Sequence, residues 1–445
     1  MFEKILIANR GEIALRVYRA CKEMGIQTVA VHSEADSKAM HVRLADESVC
    51  IGPSQSKKSY LNPAAIISAA SITNSDAIHP GVGFLSESAQ FARMVEDHGI
   101  AFIGPNYEHM KIMGNKIKAK EKMRELGLPV VPGSDGPVND EDNAIKVAEE
   151  IGYPILVKAS MGGGGKGLKI ARDVDELKKA LPTARSESKA SFGNDEVYIE
   201  KFLPKPRHIE IQILADKHGH VIHLAERDCS IQRQRQKVIE EAPSPALNEN
   251  TRKQICDSVI AVIKKLGYFS AGTVEFLYQD GAFYFIEMNT RLQVEHSVSE
   301  MISGVDIVRA QIRVANNDPL GIEQQDIKIL GHAIECRINA EHPVNFTPSP
   351  GLVTEFHPPG GLDVRVDSAL YTGYDVPPFY DSLVAKLIVR GRSRNACLMR
   401  LKRALEELVI EGINVNTPLH RKIISNPNFI NGVYNINWLE DYLKK

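Results

Sequence analysis

The stretch TVEFLYQDGAFYFIEMNTRLQVEH, residues 273 to 296, sets Glu287, Asn289, Arg291, Gln293 and Glu295 at every second position, with Glu275 on the preceding run. Alternate side chains of an extended chain share a face. One face of a hairpin would then carry two carboxylates and a carboxamide, then an arginine, then a further carboxylate. Such oxygens are hard donors suited to Mg²⁺, which completes its octahedron with water and phosphate oxygens. Arg291 offers a cation to an anion, and Glu295 can move a proton. Alternating polar residues most often form a solvated sheet face, but the sorting of this row by chemical role favours a site. For Glu275 and Glu287 to share the face, the turn at Gln279, Asp280 and Gly281 must hold three residues, with Gly281 left-handed. A two-residue Asp280-Gly281 turn would place the two carboxylates on opposite faces.

A second signal is KASMGGGGKG, residues 158 to 167. It fails the Walker A pattern, because Ser160 stands five before Gly165 and Gly167 follows Lys166. YPILVK before it and GLKIA after it read as strands, and a helix begins only near Asp173, which with Glu176 resembles a capping box. The run therefore predicts the tip of a strand-loop-strand flap whose bare amides can close over phosphates. On the glycines alone a flexible surface loop is an equal reading. ERDC at 226 to 229 is the nearest approach to the kinase HRD and no DFG follows it, which argues against kinase chemistry.

These residues need a scaffold. KILIA at 4 to 8, the helical spacing of Ile13, Ala14, Val17, Ala20, Cys21 and Met24, and the strand-like QTVAVHS, SDAIHPG and GIAFIGP predict a parallel α/β unit over the first ~110 residues. Its first turn, NRGE, lacks GxGxxG, so a structural role is favoured over dinucleotide binding. A helical KAKEKMRELG and a turn-rich LPVVPGSDGPVNDED lead to a small unit with two strands around the glycine run. From about 204 the pattern is β-rich, and SLVAKLIVRGRSRNACLMRLKRALEELVIEGI reads as strand then helix.

A length of 445 residues suggests roughly three domains of about 150. A net charge of −2 gives no electrostatic case for nucleic acid or an anionic membrane as partner. The six cysteines are scattered without a CxxC pair, as a reducing cytosol allows. No run approaches the ~18 apolar residues of a membrane span, and MFEKILIANRGE reads as a buried strand, not a secretory leader. A soluble, cytoplasmic protein is expected.

Taken together, EMNTRLQVEH, KASMGGGGKG, EKFL (200 to 203), AERDCSIQR (225 to 233), IECRINAEHP (334 to 343), PSPG (348 to 351), IANRGEIALR and HPGVGFLSE resemble biotin carboxylase of the ATP-grasp superfamily along the whole chain. The likeness is to the stand-alone subunits that serve acetyl-CoA carboxylase in fatty acid synthesis. It implies mixed α/β and α+β architecture: an N-terminal Rossmann-like domain at 1–113, an ATP-grasp domain at 114–330 with a mobile glycine-rich lid at about 131–203, and a C-terminal biotin carboxylase domain at 331–445.

The resemblance also implies chemistry. Bicarbonate attacks the γ-phosphate of ATP to give carboxyphosphate, and the carboxyl group passes to N1′ of biotin. ATP would be bound by Lys116, Lys158, the lid glycines Gly164 and Gly165, the hinge residues Glu200, Lys201, Phe202 and Leu203, and by His208, Gln232, Glu275 and Glu287. Glu275, Glu287 and Asn289 would hold Mg²⁺ or Mn²⁺, with two ions expected. Lys237, Arg291, Gln293 and Val294 would cradle bicarbonate, with Glu295 as base; Arg337 would stabilise the enolate-like biotin, near Val82.

Three positions depart from the family pattern. Val82 replaces the usual tyrosine, removing a hydroxyl near the expected biotin pocket. Gln234 and Arg235 stand where QRR and a variable residue are usual. Ser297 replaces a proline, which predicts a local loosening of the loop and no more. The carrier's AMKM is absent, and its nearest echo, HMKIM around Lys111, lies in the α/β unit. Biotin is thus expected on a separate carrier protein, with carboxyltransferase subunits as further partners and a homodimer as the assembly. The lack of a domain after Lys445 argues against a fused carboxylase. Other ATP-grasp ligases would share lid and metal carboxylates but not RLQVEH or ECRINAE. A non-catalytic nucleotide-binding regulator is opposed by the retention of Lys237, Arg291, Glu295 and Arg337.

Overall fold

Short apolar runs separated by helices build the N-terminal unit. In the computed structural model, which describes residues 1–138, 140–159 and 168–444, β1 (Lys4–Ile7), β2 (Gln27–His32), β3 (Glu47–Cys50), β4 (Ala77–His79) and β5 (Ala101–Phe102) form a parallel sheet in the order β3-β2-β1-β4-β5. The helix Gly11–Glu23 buries Ile13, Ala14, Val17, Ala20 and Cys21, the residues whose spacing predicted it. β3 carries no apolar pattern and its burial is slight, which is why it escaped the reading.

The helix Lys116–Leu126 starts where the Asn115 side chain accepts the Lys118 amide at 3.0 Å, and it ends at left-handed Gly127. It leads into a small three-stranded antiparallel sheet, β6 (Ile155–Ala159), β7 (Lys169–Ala171) and β8 (Val197–Lys201), in the order β7-β6-β8. The sequence predicted the first two strands and not the third. Asp173 caps the helix Val174–Phe192 by accepting the Glu176 amide at 2.8 Å, while the Glu176 carboxylate accepts the Arg172 amide at 2.8 Å. Gly164 and Gly165 lie outside the described residues, but the flanks pair antiparallel, as a strand-loop-strand flap requires.

The main sheet has eight antiparallel strands. β9 (Arg207–Ala215), β10 (Val221–Arg233), β11 (Gln236–Ala242), β12 (Ser270–Gln279), β13 (Ala282–Asn289) and β14 (His332–Asn339) are joined by strands Val364–Ser368 and Leu383–Gly391. The spatial order is β13-β12-β9-β10-β11-β14, then Leu383–Gly391 and Val364–Ser368. The sheet therefore runs unbroken across residue 330 through the β11–β14 pair. HIEIQIL explains the layer: Ile209, Ile211 and Ile213 join the apolar core, while His208, Glu210 and Gln212 turn the other way and are buried nonetheless. No helix among the described residues is long and apolar enough to cross a membrane.

Candidate active site

Six neighbouring strands each send a polar side chain to one face of that sheet. Glu287 and Asn289 come from β13, Glu275 from β12, His208 and Glu210 from β9, Arg227 from β10, Lys237 from β11 and Arg337 from β14. All but the fully buried Glu210 and Arg227 border a cleft of about 1060 Å³, whose other walls carry Lys116, Lys120, Lys158, Glu200, Lys201, Phe202, Leu203, Gln232, Arg291, Gln293, Val294 and Glu295. The structure thus gathers every predicted site residue that it describes except Val82. Val82 instead packs against the core beside the first sheet, its carbonyl accepting Asn9 Nδ2 at 2.7 Å.

Two local expectations need correction. The hairpin turn is the two-residue Asp280-Gly281, both with positive φ, because Gln279 pairs with Ala282. The extra residue that restores parity is a β-bulge at Ile286, so Glu275 pairs directly with Glu287 and both face the cleft. Nor is the row from Glu287 to Glu295 one strand. β13 ends at Asn289, and Arg291, Gln293 and Glu295 reach the cleft from the loop that enters helix His296–Ser303.

Lys237 organises the floor. Its Nζ donates to Glu210 Oε2 and Glu295 Oε1, both at 2.6 Å, and to Glu275 Oε1 at 3.1 Å. Burial alone would lower this ammonium, but Glu210, Glu275 and Glu295 hold it well above the ordinary lysine value. Glu295 takes a second cation, Arg337 Nη2 at 2.9 Å, and Arg337 Nε donates to Glu240 at 2.6 Å. Burial would raise Glu295, yet Lys237, Arg337 and Arg227 drive its carboxyl far below the carboxylate range. The fully buried Arg227 spends its guanidinium on Glu210, Gln212, Ser299, Thr273 and Gln293, fixing β9, β12 and the loop together. Arg291 is held by Glu87 Oε2 at 2.9 Å and donates to Asn289 Oδ1 at 3.1 Å.

The proposed metal donors fit a hard cation. Glu275 Oε1 accepts from Asn289 Nδ2 and Gln293 Nε2 at 2.7 Å, its Oε2 lies 2.9 Å from His208 Nε2, and Glu287 pairs with Lys116 at 3.1 Å. Positive groups on both carboxylates, with a carboxamide between them, mark a place that calls for cationic charge. His208, Glu210 and Glu275 also converge within ligand distance, but the Lys237 ammonium already sits on two of them.

Sequence reading missed Glu87, Lys120, Glu210, Arg227 and Glu240. Glu210 shares a strand face with His208 and was legible by alternation; Lys120 follows Lys116 by one helical turn. Ser297 does more than loosen a loop. Its hydroxyl donates to Glu335 Oε2 at 2.5 Å and accepts from the fully buried Lys386 at 3.2 Å, and Lys386 also donates to the Val294 carbonyl at 2.8 Å. Gln234 and Arg235 form a two-residue turn with both φ positive, and Arg235 lines the cleft.

A small sheet poised over a cleft, a sheet floor of metal-type carboxylates and cations, and a parallel α/β unit in front define an ATP-grasp enzyme of the carboxylase type. Family models agree in three segments: "Biotin carboxylase, N-terminal domain" over residues 1–110, "Carbamoyl-phosphate synthase L chain, ATP binding domain" over 115–323 and "Biotin carboxylase C-terminal domain" over 335–441. The biotin carboxylase of Haemophilus influenzae is 56% identical over 444 residues, covering 100% of this chain and 99% of that one. Among solved structures, a biotin carboxylase complex from Campylobacter jejuni superposes with a TM-score of 0.95 at 49% identity, covering 99% of both chains. The biotin carboxylase domain dimer of Hydrogenobacter thermophilus 2-oxoglutarate carboxylase, solved with MgADP, ADP and bicarbonate, gives 0.93 at 48%, covering 99% of this chain and 98% of that one. The chain belongs to the biotin carboxylase family.

Proposed function

We propose that the protein is a ligase that uses ATP and bicarbonate to carboxylate biotin borne on a separate carrier protein. The reaction would be the first half of acetyl-CoA carboxylase, on the way to malonyl-CoA and fatty acids. The observation that carries this reading is the pairing of Lys237 and Arg337 with one carboxylate, Glu295, in a cleft that Arg291 also lines.

Lys116 and Lys158 would bind the phosphates, Glu200 to Leu203 the adenine, and His208 and Gln232 the nucleotide's remaining polar edge. Gly164 and Gly165 would close the lid, and water kept out by it cannot destroy a carboxyphosphate beneath. Glu275, Glu287 and Asn289 would hold Mg²⁺ or Mn²⁺, which when bound supplies charge neutralisation at phosphate oxygens. Lys237, Arg291, Gln293 and the Val294 main chain would cradle bicarbonate. A bicarbonate oxygen attacks the γ-phosphorus, the bond to ADP breaks, and Glu295 takes the bicarbonate proton. Glu295 is a poor base while both its oxygens are ion-paired. Each cation that turns to the anionic substrate returns basicity to it. Biotin N1′ then gives its proton to the phosphate that leaves carboxyphosphate and bonds to the carboxyl carbon as the carbon–oxygen bond to that phosphate breaks, while Arg337 faces the biotin oxygen on which negative charge grows, where a fixed cation contributes most.

The domain limits that fit this reading are 1–113, 114–330 with the lid at about 131–203, and 331–445. A homodimer is supported by the dimeric Hydrogenobacter relative. Carboxyltransferase subunits as partners and a cytoplasmic location complete the proposal; six free cysteines suit a reducing compartment. The deciding measurement is steady-state ADP release with and without bicarbonate and free biotin. Release should depend on bicarbonate and rise with biotin, and indifference to both additions would overturn the assignment.

A further inference from the structure

The nucleotide end of the cleft holds more cation than anion. Lys116 and Lys120 stand one turn apart on the helix Lys116–Leu126, and Lys158 approaches from β6. Lys116 has a partner of its own, Glu287 at 3.1 Å. Lys120 and Lys158 share a single carboxylate: Lys120 contacts Glu200 Oε1 and Lys158 contacts Glu200 Oε2. The Glu200 side chain is only 4% exposed, against 17% for Lys120 and 22% for Lys158. Two ammonium groups on one buried carboxylate leave a positive charge that water cannot fully solvate. An anion is missing from this wall, and a polyphosphate would supply it.

The two lysines are not equivalent. Lys120 is fixed, with the Tyr198 ring 5.7 Å from its ammonium and Glu200 in contact. Lys158 is next to the last described residue of β6, at the mouth of the flap. We propose that Lys120 is a positioning residue of the nucleotide site: it keeps Glu200 neutralised, so that Lys158 is free to turn from Glu200 to the triphosphate. This rests on the ATP-dependent reading above. Without Lys120, movement of Lys158 to a phosphate would strand a buried carboxylate with no counter-ion, and nucleotide affinity would bear the cost.

The test uses the full chain, calorimetric titration with Mg²⁺ and a non-hydrolysable ATP analogue, and two variants. Lys120→Met keeps length and removes charge; it should weaken analogue binding about thirtyfold or more, the lower end of the loss when a buried ion pair is deprived of one partner. KM for ATP should rise in step while kcat at saturating ATP stays within about twofold. Lys120→Arg should restore affinity to within about threefold, since charge and not ammonium shape is at issue. Unchanged affinity in Lys120→Met, a fall in kcat without a rise in KM, or equal losses in Lys120→Arg would each overturn the proposal. If Lys120→Met does not fold, Glu200→Gln is compared with the double variant Lys120→Met/Glu200→Gln. With no carboxylate to neutralise, the pair should bind the analogue equally, and a further loss in the double variant overturns the idea. Failure of the carboxylase reading would look different: analogue binding by the unmodified protein with no bicarbonate-dependent ADP release.

Discussion

Glu240 and Glu241 are neighbours on β11, both buried, and they belong to different worlds. Glu241 points away from the cleft and accepts from His332 Nε2 at 2.6 Å, Arg394 Nε at 2.6 Å and Nη2 at 3.0 Å, and Tyr434 Oη at 2.5 Å. Arg394 also donates to the carbonyls of Phe429 and Ile430. The cluster is closed, and it ties β11 and β14 to the C-terminal segment. Glu240 is buried against Arg337, which lines the cleft; one of its oxygens accepts from Arg337 and the other has no hydrogen-bond partner among the described residues. Its partner Arg337 is divided between Glu240 and Glu295, and Lys237 among three carboxylates. A saturated buried charge is scaffold. A cation shared among several acids can leave one of them for a substrate without stranding the rest.

That contrast can be broken by mutation. Glu241→Ala should have the largest effect, destabilising the fold by about 3–5 kcal/mol, because it leaves the half-buried Arg394 and the buried His332 without their carboxylate. Urea unfolding measures this, and turnover of the protein that remains folded should be near normal. Glu295→Ala should do the reverse. Lys237 keeps Glu210 and Glu275, and Arg337 keeps Glu240, so the fold should be little disturbed. Biotin carboxylation should nonetheless fall about 10²-fold or more in kcat with MgATP affinity retained. Turnover at the wild-type rate would remove Glu295 from the role of base, and a stability loss matching that of Glu241→Ala would erase the distinction between the two faces. Ser297→Ala should be milder, about 1 kcal/mol for the lost hydroxyl bonds to Glu335 and Lys386. If its melting temperature matched the parent, the hydroxyl would be decoration.

What the sequence made legible follows the same divide. Alternation in EMNTRLQVEH placed the right side chains at one cleft, because period two survives whether the chain is a strand or a loop that happens to keep the side chains turned inward. For that reason it could not locate the end of β13 at Asn289. The bulge at Ile286 was hidden because it is a property of the ladder and not of either strand. Glu87 reaches Arg291 across some 200 residues of chain, a pairing no local pattern encodes. Val82 sits in a motif that points to the site, yet its side chain belongs to the core behind the first sheet. Ser297 was read as a lost proline when its physical content is a hydroxyl inserted between two buried charges.

The finest test of the two faces is pH, because Glu240 and Glu241 should bend stability in opposite directions. Burial alone would raise Glu241, but His332 and Arg394 prevail and hold it at about 2, below the ordinary 4.5. Its contribution is therefore complete above pH 4.5 and is lost as pH falls toward 2. Glu240 is raised above 4.5, chiefly by burial and then, against the pull of Arg337, by Glu335 and Glu295. For it the unfolded chain ionises first, so stability drains as pH climbs above 4.5. Each pKa unit between folded and unfolded states is worth about 1.4 kcal/mol. Urea midpoints from pH 3 to 8 should thus show Glu241→Gln flattening the acid limb and Glu240→Gln flattening the opposite one, each by about 1 kcal/mol after relaxation of the neighbours. Were both substitutions to flatten the same limb, the adjacent carboxylates would share one electrostatic environment, and the separation of scaffold from site across β11 would fall with it.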